Sequence, residues 1–72
     1  MLNIKRLKLK QFRVGLDLNQ TEMAQKCGID RASYSLIEQG KRAGSLEFWY
    51  NFKEEFDLSP EDVWVMLYEN KK

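Results

Sequence analysis

The chain has 72 residues, a formal net charge of +1, a single cysteine and no histidine. One cysteine excludes an internal disulfide, and the missing histidine and second thiol remove the soft ligand set of a structural zinc site. Below about 70–80 residues a lone core is marginally stabilising, so helix packing or oligomerisation must support the fold.

Four Phe, three Tyr and two Trp supply large buried areas per residue, enough to fill a small core with few side chains. No apolar run approaches the roughly 20 residues of a membrane span, and no signal-peptide apolar stretch follows the basic start. With the lone thiol, this points to a cytoplasmic protein without membrane partners. No paired nucleophile or acid–base constellation is present, so the sequence supports neither an enzyme nor a cofactor or metal site. The charge is uneven. Residues 1–45 carry nine Lys/Arg against four Asp/Glu, whereas residues 46–72 carry three against seven. One half suits a polyanion and the other does not.

In chain order, the spacing of Leu9, Phe12 and Leu16 predicts a helix over 5–16. Leu2-Asn3-Ile4-Lys5 alternates apolar and polar and is equally compatible with an extended segment. Asn19 with Glu22 three positions later forms a capping-box pattern, opening a second helix to Cys27 with Met23, Ala24 and Cys27 inward. Gly28 ends it, Asp30 caps a third helix over 31–39, and Gly40 closes that one. Ser45 caps a fourth helix in which Leu46, Trp49, Tyr50, Phe52 and Phe56 mix core and boundary. Ser59-Pro60 with Asp62 starts a fifth, running to about Tyr68 with Val63, Trp64, Met66 and Leu67. Lys71 and Lys72 are expected to fray. With no linker, repeat or low-complexity stretch, residues 1–72 read as one all-α domain of five helices.

Two helices joined by the three-residue turn Gly28-Ile29-Asp30 describe a helix-turn-helix over about 20–39, although the same pattern fits a generic helical hairpin. Ala24 is the small residue needed where the two helices approach, with Ile29 and Ile37 packing into the angle. The stretches Leu18 to Ile29, Ser33 to Arg42, Ser45-Leu46-Glu47 and Leu58-Ser59 resemble the phage repressor and Cro-type (Xre-family) regulators. The carrying motifs are Gln20-x-x-x-Ala24-x-x-x-Gly28 and Ile37-Glu38-x-Gly40-Lys41-Arg42. The likeness runs from about Leu9 to Leu67.

That resemblance implies a compact lambda-repressor-like DNA-binding domain and residue roles within it. Asn19 and Gln20 match positions where the first helix of the motif meets the DNA backbone. Lys41 and Arg42 match the basic pair that grips a second phosphate group, with Gln39 beside them. Arg31, Ala32 and Leu36 hold base-reading positions, with Ser33 and Ser35 as neighbours. Arg31 suits guanine, and Ala32 a thymine methyl. Leu36 fits either thymine-methyl contact or partial burial beside Tyr34. Arg13 and Glu38 match a structural ion pair that fixes the angle of the recognition helix.

Ala43-Gly44 replaces the proline usual in the loop after Lys41-Arg42, which predicts a more mobile loop. Tyr34 and Trp49 stand where aliphatic residues usually pack, which predicts a core rebuilt around rings. Val63, Trp64, Met66 and Leu67 either form a dimer interface or all cover the monomer core.

The implied function is sequence-specific binding of a palindromic double-stranded DNA operator by a homodimer. The setting would be that of a transcriptional regulator, most simply a repressor, encoded by bacteria or a phage, prophage or mobile element. An antitoxin-like subunit that keeps the fold but mainly binds a protein is the other reading.

Overall fold

The computed structural model describes residues 6–68, in which five helices follow one another: α1 (Leu7–Gly15), α2 (Gln20–Lys26), α3 (Arg31–Glu38), α4 (Leu46–Glu55) and α5 (Pro60–Leu67). Four of the five begin on side chains that the sequence marks as caps. Asn19 Oδ1 accepts from the Glu22 N–H and the Glu22 carboxylate accepts from the Asn19 N–H, each at 2.8 Å. Ser59 and Asp62 exchange the same pair of bonds at the start of α5, with Pro60 in the first turn. Asp30 and Ser45 cap α3 and α4 by accepting from Ser33 and Phe48. Each cap satisfies N–H groups that the helix cannot, typically for about 1 kcal/mol. The alternation at 2–5 and the expected fraying of Lys71 and Lys72 lie outside the described residues.

The core is a cluster of rings and aliphatics from all five helices. Phe12 of α1 meets Phe52 and Phe56 edge-on, at 5.6 and 5.2 Å between centroids. Tyr34 of α3 lies 6.1 Å from Phe48, which packs edge-on against Trp49 at 4.8 Å. The core is thus built around rings, as Tyr34 and Trp49 suggest. Met23 and Ala24 of α2 and Cys27 just past its end are buried members of the same cluster. Burial and the nearby Glu55 push the Cys27 thiol up to about 12, so Cys27 serves as a packing residue.

The packing departs from the expectations at three points. Leu16 is exposed, because α1 stops at Gly15 and Asp17 turns left-handed (φ 61°), which leaves Leu18 to pack on the core. In α4, Phe48 rather than Leu46 or Tyr50 is buried; Leu46 is 90% exposed. In α5, Met66 belongs to the core, and Val63 and Leu67 pack against it. These three sit three and four positions apart and form the inward stripe. Of the expected dimer residues only Trp64 faces out, and its companions are Val65 and Tyr68. No helix among the described residues is long and apolar enough to cross a membrane.

Candidate nucleic-acid interface

The α2–α3 corner is set by backbone chemistry at three consecutive residues. Gly28 takes φ 77°, a conformation that costs a residue with a Cβ, and ends α2. The Ile29 N–H then donates back to the Ala24 carbonyl at 3.0 Å, while Asn51 of α4 donates to the Cys27 carbonyl at 3.3 Å. Asp30 starts α3 by accepting from both the Ser33 N–H and the Ser33 hydroxyl. Those bonds hold the Asp30 carboxyl below its usual range. Ala24 is 1% exposed at the approach of the two helices, and Ile29 and Ile37 fill the angle.

On its inner face α3 is anchored by Glu38. Arg13 Nε donates to Glu38 Oε2 at 2.8 Å and Arg13 also donates to the Leu18 carbonyl. The Tyr34 hydroxyl donates to Glu38 Oε2 at 2.7 Å, and Gln20 Nε2 to Oε1 at 3.1 Å. One carboxylate therefore ties together α1, the start of α2 and two turns of α3. Burial works to raise the Glu38 pKa, but the hydrogen bonds from Arg13, Tyr34 and Gln20 outweigh it and hold the group below the ordinary carboxylate range. The bond to Glu38 in turn raises the Arg13 pKa. The Tyr34 phenol is also pushed up, first by burial and then by its bond to the carboxylate.

The outer face of α3 differs. Tyr34, Ile37 and Glu38 are buried, so the stripe opposite them is Ala32, Ser35, Leu36 and Gln39, at spacings i, i+3, i+4 and i+7. Ala32 and Gln39 are exposed, and Gln39 Nε2 donates to Ser35 Oγ at 2.8 Å. Leu36 is half-buried and stands outside the apolar residues packed on the core. Ser33 is half-buried with its hydroxyl bound to Asp30, which removes it from the outward stripe. Arg31 is exposed at the start of the helix and Lys41 and Arg42 just past its end. None of the three forms an ion pair among the described residues. Glu38, the sole acid from Arg31 to Arg42, is turned inward, so these residues present only positive charge outward, with the exposed Asp30 cap just before them.

Asn19 and Gln20 lie at the start of α2, but their side chains are partly used. The Asn19 oxygen is the cap, which leaves its N–H₂ as donor, and one Gln20 N–H is spent on Glu38.

The loop after α3 is held at several points, contrary to the mobility expected from its missing proline. The Lys41 and Arg42 N–H groups both donate to the Leu36 carbonyl, and the Trp49 indole donates to the Ala43 carbonyl at 2.9 Å. Gly44 adopts φ 86° with Trp49 Nε1 only 2.7 Å from where a Cβ would stand. Arg6, which the sequence reading passed over, completes the clamp. It is 7% exposed and donates to the carbonyls of Ile37 (2.7 Å), Arg42 (2.9 Å) and Leu67 (3.3 Å), with its guanidinium over the Trp49 ring. Standing in the basic run Lys5-Arg6-Leu7-Lys8, it looks like any solvated cation. A buried role is visible only once α3, the loop and α5 are brought together.

The comparisons with known proteins agree with this geometry. A family model described as helix-turn-helix matches residues 9–63. Two Archaeoglobus fulgidus proteins described as uncharacterized HTH-type transcriptional regulators are each 30% identical over 60 residues, 83% of this chain and 84% and 86% of theirs. A Methanocaldococcus jannaschii protein with the same description is 33% identical over 58 residues, 81% of this chain and 88% of its own. These relatives are archaeal, whereas the resemblance read from the residues pointed to bacterial and phage regulators. No solved structure matches the chain. Its motif, its corner geometry and a match over most of its length place this chain in the helix-turn-helix family.

Proposed function

We propose that this chain is a sequence-specific double-stranded DNA-binding transcriptional regulator that lays α3 in the major groove. The observation that carries the reading is the outward surface from Arg31 to Arg42, which has free cations at both ends, small or apolar side chains between them and no outward acid. An eight-residue helix is about 12 Å long, comparable to the width of the groove. Arg31 reads guanine, Ala32 and Leu36 contact thymine methyls, and the Ser35–Gln39 pair offers one hydroxyl and one amide to base edges or phosphate. Lys41, Arg42, Asn19 and Gln20 hold the sugar-phosphate backbone and set the register.

The operator is palindromic and the protein acts on it as a homodimer. The described body is 31 Å along its longest axis, less than the roughly 34 Å between half-sites one helical turn apart. One copy therefore serves one half-site. Trp64, Val65 and Tyr68, on the solvent side of α5, form the contact between copies, with the Trp64 and Tyr68 rings 4.4 Å apart. Repression is the simplest mode of action, since such a dimer blocks access to the DNA it covers. The same apolar face and the acidic C-terminal half also support the antitoxin-like reading, in which a second protein takes the place of the other copy.

Fluorescence anisotropy of a labelled random duplex, titrated against salt, tests the proposal. Several phosphate contacts give a steep fall of log K with log salt, about 0.9 per phosphate. A flat response, or no binding at low salt, would sink it.

A further inference from the structure

The last carbonyls of an α-helix find no donor within the helix itself. At the end of α3 the following residues answer some of them. The Gln39 N–H donates to the Ser35 carbonyl, the Gly40 N–H to that of Ile37, and the Lys41 and Arg42 N–H groups to that of Leu36. Arg6, 32 positions before Glu38 and just ahead of α1, supplies the rest. Its backbone N–H donates to the Glu38 carbonyl at 3.0 Å and its Nη1 to the Ile37 carbonyl at 2.7 Å. The same Nη1 donates to the Arg42 carbonyl at 2.9 Å, and Nε reaches the Leu67 carbonyl at the end of α5. The guanidinium carbon stands 5.6 Å from the centre of the Trp49 ring, whose indole holds the Ala43 carbonyl. Arg6 is therefore a cap delivered to α3 from a distant part of the chain, with its charge at the negative end of the helix dipole. A planar fork can hold carbonyls in several directions at once, which a lysine ammonium on a flexible stem does not reproduce.

We propose that Arg6 is a positioning residue for DNA binding, acting through the cations that its carbonyl contacts hold in place. It ties the end of α3 and the Arg42 peptide to the last turn of α5, and so sets Lys41 and Arg42 before any DNA arrives. This rests on the DNA-binding reading. The residue is 7% exposed, so it works by what it holds and does not itself meet the duplex. Without the fork, Lys41 and Arg42 still reach phosphates, but they and their loop must be ordered at the moment of binding. Affinity then falls while the number of phosphates neutralised, and hence the salt slope, stays close to native.

The test is a double-mutant cycle between Arg6→Lys, which keeps the charge and removes the fork, and the pair Lys41→Ala with Arg42→Ala. It is read by salt-dependent anisotropy on the random duplex, at temperatures where circular dichroism shows every variant folded. In the native background Arg6→Lys should weaken binding about tenfold, the order expected when two long side chains must be ordered on association. In the background lacking both cations it should cost less than about twofold, because nothing is left for the loop to place. Equal losses in the two backgrounds overturn the proposal, since Arg6 would then act on the whole domain or on DNA directly. Native affinity in Arg6→Lys overturns it too, because charge alone would suffice. Trp49→Phe, which keeps a ring beside the guanidinium but releases the Ala43 carbonyl, provides a second cycle that does not depend on Arg6→Lys folding. Its smaller loss should vanish in the same background, and a loss that persists there counts against the proposal. Each of these failures leaves the DNA-binding reading intact, whereas no binding by the native protein overturns both together.

Discussion

The two faces of α3 follow opposite rules. The inner face carries a carboxylate, a phenol and, from neighbouring elements, a guanidinium and an amide, all bonded to one another at Glu38. No buried side-chain polar atom among the described residues lacks a hydrogen-bond partner. The outer face carries side chains that are small, half-satisfied or charged without an ion-pair partner. An inner network of this kind sets where the helix lies, because moving it breaks several bonds at once. The outer face adds little to stability, which leaves its residues available to a ligand. If the outer face reads DNA as proposed, position and recognition are separable in one eight-residue helix, and substitutions on its two faces should separate them.

The largest effect is expected at Glu38. Replacing it with alanine strands Arg13, which is 8% exposed, and the fully buried Tyr34 hydroxyl. Breaking a buried pair by removing one partner costs about 3–5 kcal/mol, a large share of the stability of a domain this small. Denaturant melts should show that loss, and a midpoint within error of the native protein would mean that the network is ornamental. Acid sharpens the same point. The folded pKa of Glu38 is depressed, so its contribution is present above the unfolded value of about 4.3 and fades as pH falls through the folded one. The stability gap between the native protein and Glu38→Gln should therefore narrow as thermal melts are taken from pH 6 toward pH 3. A gap that stays constant across that range would show that the charge of Glu38 is not what anchors the helix.

The inner face was half legible from the residues. Arg13 and Glu38 stand 25 positions apart, and only the family pattern joined them. Their additional partners Tyr34 and Gln20 were assigned elsewhere, Tyr34 to packing and Gln20 to phosphate. A phenol can bury its ring while its hydroxyl bonds, and an amide that gives one N–H to a carboxylate keeps another, so neither bond to Glu38 follows from the residue type alone. The caps at Asn19, Asp30, Ser45 and Ser59 were readable because a cap is local, decided by residues three apart. Arg6 and the inward stripe of α5 were not. Arg6 bonds to carbonyls 31, 36 and 61 residues away, and carbonyls leave no trace in sequence. In α5 and its cap, apolar or aromatic residues at all six positions from Val63 to Tyr68 leave no polar gap to mark which side faces out. Packing alone sorts Val63, Met66 and Leu67 from Trp64, Val65 and Tyr68.

The loop after α3 should respond next most strongly. Gly44→Ala places a Cβ 2.7 Å from Trp49 Nε1 and 3.3 Å from Ile37 and Phe48, at a φ of 86° that disfavours any Cβ. Trp49 cannot retreat without releasing the Ala43 carbonyl, so the expected cost is about 1–3 kcal/mol. Because the loop ends the surface bearing Lys41 and Arg42, affinity for random and operator duplexes should fall together beyond what the stability change explains. A stable Gly44→Ala protein with native affinity would show that the clamp around this loop has no influence on the cations it carries.

The smallest effects on stability, and the most informative for recognition, belong to the outer face. Arg31→Ala and Lys41→Ala both alter exposed side chains without ion pairs, so melts should shift by no more than about 0.5 kcal/mol. Their consequences for binding should differ in kind. Arg31→Ala should lose about 1–3 kcal/mol of preference for the native operator over one changed at the contacted guanine, while random-duplex affinity changes little. Lys41→Ala should weaken every duplex alike and lower the salt slope by about 0.9, with the operator preference intact. Anisotropy titrations of three duplexes at two salt concentrations are enough to tell these patterns apart. If both variants weakened all duplexes equally, the outer face would be only an electrostatic platform, and the bases would have to be read from elsewhere. If Arg31→Ala erased the preference while the Glu38 network stayed native in its melts, recognition would be shown to reside on the outer face of a helix held by its inner one.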